Sequence, residues 1–170
     1  MKAFSRVAGL AAISIFSFIC LPALAGEPGS AHAGNIDIQG GWVRATPNGA
    51  HTGAGYLTIE NKGGNEDRLT GGSSQVASAV QVHEMKVDNG VMSMREVTGG
   101  LALPAHAKTE LKPGSYHLML IGLAKPIAVG DDVVLTLHFA KAGDVTVHLP
   151  AKDASAMQAP GAMMHMGGAK

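Results

Sequence analysis

Sulfhydryl chemistry is almost absent from this sequence: its 170 residues hold one cysteine, Cys20. Cys20 lies in an N-terminal stretch that reads as a secretory signal. Lys2 and Arg6 open it, an apolar run from Val7 to Leu21 follows, and Ala23-Leu24-Ala25 supplies the small residues that a signal peptidase reads. Lipidation at Cys20 is disfavoured, because Phe18 and Ile19 just ahead of it are too large for the usual lipoprotein cleavage site. With residues 1–25 removed, the chain begins near Gly26 and has neither thiolate nor disulfide, although export would permit disulfides. Thiol oxidoreductase chemistry is excluded.

Other absences narrow the field further. The leader's apolar run is shorter than the ~20 residues needed to span a bilayer, and nothing downstream reaches that length. Loss of Lys2 and Arg6 leaves 11 basic against 13 acidic residues, a net of −2. Such a surface offers no electrostatic footprint for nucleic acid or an anionic membrane. No window carries an amphipathic helix of three turns, and there is no Ser/His/Asp motif and no pair of acids in a catalytic pattern. The expectation is a monomeric, non-enzymatic protein, with about 145 residues available for one domain and its core.

What is present reads as short β-strands. Gly26–Gly34 is rich in Gly, Ala, Ser and Pro and is expected to be a flexible lead-in, with the folded domain over residues 36–151. Strands are predicted at 36–45, 54–60, 67–71, 77–85, 91–97, 108–111, 116–123, 132–139 and 145–149. Turn residues separate them, among them Asn61-Lys62-Gly63-Gly64, Asn89-Gly90 and Pro113-Gly114. This spacing predicts an all-β sandwich or barrel. Residues 152–170 turn to Ala, Met, Gly, Gln and Pro without a period, which reads as a disordered tail.

The chemistry concentrates in two places. His83-Glu84-Met85 and Met92-Ser93-Met94 flank Asn89-Gly90, the strongest short-range signal for a hairpin with a type I′ turn. With those two residues as the loop, Met85 faces Met94, and His83, Met85, Met92 and Met94 share one face. A one-residue slip would separate them. The second place is Tyr116-His117-Leu118-Met119, where His117 and Met119 share a face and Leu118 and Leu120 take the other. Each methionine taken singly is a common core filler. Two His-x-Met pairs plus Met92 and Met94, in a chain of nine methionines, form a pattern that packing does not require.

The donor types select the metal. Thioether sulfur is soft and uncharged and holds Cu(I), while imidazole suits Cu(I), Cu(II) and Zn(II) alike. Zinc sites draw on Cys, His and carboxylates, and a blue-copper centre needs a thiolate. A carrier site for a soft monovalent ion remains. Imidazole binds only when neutral, so affinity is expected to weaken below about pH 6.

At these residues the chain resembles the PCuAC family of periplasmic copper chaperones. The family pattern is His, ten residues, Met, about twenty-one residues, then His-x-Met. Ten residues separate His83 from Met94, and twenty-two separate Met94 from His117-Leu118-Met119. The extra residue can be absorbed between Gly99 and Gly114. The resemblance extends from about Gly41 to Pro150, through Trp42-Val43-Arg44-Ala45-Thr46-Pro47, Thr52-Gly53-Ala54-Gly55-Tyr56-Leu57 and Asp67-Arg68-Leu69. It implies a single-domain, cupredoxin-like (immunoglobulin-like) Greek-key β-sandwich that binds Cu(I) through His83, Met94, His117 and Met119. It also implies periplasmic delivery of copper to the copper-binding subunit of cytochrome c oxidase, alongside a thioredoxin-like Sco-type protein. Storage or tolerance without a dedicated acceptor is the alternative. Met85 and Met92 are second-tier candidates, as alternative ligands or an apolar rim.

The remaining groups carry weaker readings. His51, His106, His138 and His148 match no ligand position and read as strand or loop polarity. Trp42 and Tyr56 are expected in the core, and Arg68 beside Asp67 as a structural ion pair. In the tail, Met157, Met163, Met164, His165 and Met166 are candidates for a second copper, with Cu(II) among the ions considered, or for capture and hand-over to the main site.

Overall fold

The computed structural model describes residues 27–153, so the signal segment and the tail lie outside the described residues. The described residues form eleven strands: β1 Ala31–Ala33, β2 Ile36–Arg44, β3 Thr52–Asn61, β4 Asp67–Ser74, β5 Ala77–Asp88, β6 Val91–Glu96, β7 Leu101–Leu103, β8 Ala107–Leu111, β9 Tyr116–Leu123, β10 Asp132–Phe139 and β11 Gly143–Lys152. Among the described residues there is no helix. The strands run in the order β1-β2-β11-β10-β4-β5-β9-β3-β8, and a further β2–β3 pairing closes the sheet on itself. All pairings are antiparallel except β11 against β2. The result is one all-β domain, a sandwich whose sheet closes on itself, within the sandwich-or-barrel class that the strand spacing predicts.

Period-two alternation builds the core. Val133, Leu135, Leu137 and Phe139 of β10 face inward, as do Val145, Val147, Leu149 and Ala151 of β11. Val80 and Val82 of β5 meet Leu118 and Leu120 of β9 in the same interior. Each fully buried Val or Leu contributes about 1.5–3 kcal/mol relative to exposure. No disulfide is needed to supplement a core of this size.

Two strands lie where none was expected. The lead-in is tied down, not free: Ala31–Ala33 pairs with Ile36–Ile38, and the Gly29 N–H donates to the His148 carbonyl at 2.7 Å. Leu101–Leu103 pairs with Asp67–Leu69, burying Leu101 and Leu103. Its approach depends on Gly100, at φ 86°, where a Cβ would stand 2.8 Å from the Leu69 carbonyl oxygen. A three-residue strand after a Gly pair carries too little alternation to be read in advance.

The expected Arg68–Asp67 ion pair does not form. Asp67 is buried and accepts the backbone N–H groups of Arg68, Lys141 and Ala142 at 2.7, 2.8 and 2.9 Å. Arg68 instead reaches Glu66 and the Gly100 carbonyl, each at 3.3 Å. Neighbours along a strand point to opposite faces, so adjacency in sequence worked against the pair.

Candidate metal centre

The β5–β6 hairpin adopts the predicted register. Asn89 and Gly90 take φ values of 50° and 79°, as a type I′ turn demands. Asp88 faces Val91, Val87 faces Met92 and Met85 faces Met94. On the opposite face Glu84 accepts from Arg95 Nε and Nη2 at 3.0 and 2.7 Å and pairs with Lys86 at 3.3 Å. The Arg95 guanidinium, with Lys86 adding to it, holds the Glu84 carboxyl below its usual value. These pairs fix the register on which the methionine face depends.

The other edge of β5 pairs with β9, so the two predicted segments meet. His83 stands directly opposite His117, and Gln81 opposite Met119. His83 is therefore the hub of the site. His117 lies across from it on one side and Glu96 on the other, while Met119 and Met94 occupy the two diagonals and Met85 the next position along the strand. Cross-strand neighbours sit about 4.5–5.5 Å apart between Cβ atoms and diagonal ones about 7–8 Å, within reach of long side chains. Because Val82 and Leu118 face the core, this set lies on the outer face of the sheet.

Burial is graded across that face. His117 is only 4% exposed, whereas Met94 is 48% and Met92 66% exposed, and Met85 and Met119 are half-buried. The His83 and His117 ring centroids are 6.0 Å apart. Two imidazoles at that separation can share one ion through metal–nitrogen bonds of ~2 Å. His117 Nδ1 lies 3.2 Å from the Ser115 carbonyl, which can only accept. That nitrogen must carry the proton, leaving Nε2 with the lone pair. His83 Nε2 lies 3.0 Å from Gln81 Oε1, and His83 Nδ1 is buried with no hydrogen-bond partner. A buried, unpartnered imidazole nitrogen beside a second imidazole and several thioethers fits a soft cation. Among the described residues no three His, Cys, Asp or Glu side chains come together as a metal site.

Trp42 and Tyr56 are buried, as the sequence predicts. Their ring centroids are 4.6 Å apart with the planes tilted by 38°, and Tyr56 lies 6.5 Å from the His117 ring. Tyr56 thus also borders the histidine site, while Leu57 and Ile59 take the inward positions of β3. His138 and His148 are engaged by Asp144 and Asp132 at 2.7 and 2.6 Å, and His51 and His106 are exposed. Gln81, Ser115 and Glu96 were not read from the sequence as part of the site. Gln81, two residues before His83, could have been found from strand alternation, but Ser115 and Glu96 needed the register.

Burial, and then the neighbouring His117, push the His83 imidazole below its ordinary value, while Glu96 pulls it up. A proton and a metal compete for the same lone pair. Affinity therefore falls as pH falls, and the lowered value moves the onset below the ~6.5 of a free imidazole. The expected profile for soft-metal affinity is flat from pH 8 to about 6 and declines below it. A profile flat down to about pH 4 would remove the histidines from the ligand set.

The profile of the family described as "Putative lipoprotein LpqE-like" matches residues 36–151. The chain belongs to this family. A relative, "Putative lipoprotein Lxx21020" of Leifsonia xyli subsp. xyli (strain CTCB07), is 34% identical over 135 residues, spanning 79% of this chain and 80% of that one. The copper-bound PCuAC domain from PmoF2 is 27% identical with a TM-score of 0.62, covering 73% of this chain and 97% of its own. The solution structure of CuI-DR1885 from Deinococcus radiodurans is 27% identical with a TM-score of 0.56, covering 72% and 81%. The resemblance to PCuAC domains read from the sequence thus holds for this LpqE-like chain in family and in fold.

Proposed function

We propose that this chain is an exported, periplasmic Cu(I) metallochaperone, a carrier and not an enzyme. One observation carries the reading: His83 and His117 face each other across adjacent strands, with Met94 and Met119 on the two diagonals. His83, Met94, His117 and Met119 are the proposed ligands, with Met85 and Met92 as alternates on the same face. Four neutral donors favour Cu(I) over harder ions. They leave its charge uncompensated, and a site partly open at Met94 favours release to another protein. The copper-bound PmoF2 domain and CuI-DR1885 support the choice of metal.

The acceptor in this proposal is the copper centre of cytochrome c oxidase, reached alongside a Sco-type protein. The tail methionines and His165 lie outside the described residues, and we assign them capture of a second copper, as Cu(I) or Cu(II), for transfer to the main site. Reach supports this. Lys152 is in register with Arg44, the neighbouring Val43 is in register with Gly55, and from Ala54, next to Gly55, the row continues through Met119 to Gln81. Four strand spacings make about 19 Å. The eleven residues from Lys152 to Met163 span up to about 36 Å when extended.

Deletion of the protein tests delivery. Lost oxidase activity at low copper is expected, restored by the full chain and more slowly by a chain ending at Lys152. Normal oxidase activity with lost survival at high copper would instead establish storage or tolerance. Unchanged copper stoichiometry and uptake in the truncated chain would remove the tail's role.

A further inference from the structure

The two histidines of the site are held by different atoms. His117 presents Nδ1 to the Ser115 carbonyl at 3.2 Å, and His83 presents Nε2 to Gln81 Oε1 at 3.0 Å. An imidazole that donates from one nitrogen keeps its lone pair on the other. We propose that Gln81 is a positioning residue that fixes the His83 tautomer, so that His83 engages Cu(I) through Nδ1 while His117 engages it through Nε2. This rests on the proposed Cu(I) site and goes beyond it by naming the ligating atoms and the residue that selects one of them.

The burial of His83 Nδ1 decides between the two orientations of the Gln81 amide. If the amide presented its NH2 group, His83 would carry its proton on Nδ1. That N–H would be a buried donor with no acceptor, a state costing about 1–3 kcal/mol. With Oε1 presented, Nδ1 holds a lone pair instead, and an incoming cation satisfies it. Gln81 lies in the position to do this because it precedes His83 by two residues and shares its face. Its cross-strand partner is Met119. One side chain thereby connects the imidazole of β5 to the thioether position of β9. Second-layer hydrogen bonds of this kind orient metal-binding imidazoles and raise their basicity.

The test uses the full protein with 15N-labelled histidine, by long-range 1H–15N NMR at neutral pH, before and after anaerobic Cu(I) loading. In the apo protein His83 is expected as the Nε2–H tautomer and His117 as the Nδ1–H tautomer. On loading, the metal-induced shift should fall on His83 Nδ1 and His117 Nε2. Gln81→Leu should mix the His83 tautomers in the apo protein and weaken Cu(I) binding by about 10–100-fold. Gln81→Glu, which keeps an acceptor oxygen, should restore both. An apo His83 protonated on Nδ1, a copper shift on its Nε2, or a Gln81→Leu variant with unchanged tautomer and affinity would overturn the assignment. Wild-type protein that binds no Cu(I) would fail the proposed function itself, whereas binding through His83 Nε2 would fail only this inference.

Discussion

Replacing His117 with alanine is expected to weaken Cu(I) binding by more than about 100-fold, beyond the 10–100-fold typical of losing an outer-layer partner. His117 is the most buried donor of the site and is held on three sides: by the Ser115 carbonyl, by the Tyr56 ring and by His83 across the strand pair. An imidazole so restrained loses little freedom when it binds, so removing it takes away a donor already in place. Met94→Ala is the complementary change. Met94 sits on β6, where all six residues are exposed, so the fold does not depend on it. Its loss should weaken Cu(I) by about tenfold, the lower end of that range because its side chain must be ordered on binding. Competition titration against a Cu(I) chelator reads both. Equal affinity in both variants and wild type would mean that the His/Met face is packing alone.

Leu118→Ala, one residue away, should act on stability instead. Leu118 is completely buried and points to the core side of β9, between the two outward donors His117 and Met119. Truncating such a leucine leaves a cavity and costs about 3–5 kcal/mol. For a domain of this size the melting temperature should drop by about 10 °C or more. The folded fraction should still bind one Cu(I) equivalent, since no donor has moved. A drop below about 1 kcal/mol would show that the space around β9 collapses without cost, contrary to the close packing expected of an interior.

The difference between those two neighbours was legible in the sequence, because strand alternation assigns faces without knowledge of the fold. The hairpin register was legible too. Asn89-Gly90 specifies a type I′ turn, and a turn fixes the register of both its strands. What the sequence could not disclose was the meeting of β5 with β9. Nothing local pairs Gln81–Glu84 with Tyr116–Met119, which lie more than thirty residues apart, and that pairing sets His83 against His117. The burial of Trp42 and Tyr56 was legible, whereas the approach of Tyr56 to His117 needed the pairing of β3 with β9. Leu101–Leu103 and Ala31–Ala33 were too short for alternation to register.

X-ray absorption of the anaerobically loaded protein tests the central claim most directly, because it reports the atoms bound to the ion. One Cu(I) per chain with both imidazole nitrogen and thioether sulfur in its first shell is the predicted result, with sulfur content reduced in Met94→Ala. A first shell of nitrogen and oxygen alone, or copper that washes out of the wild-type protein, would contradict the account.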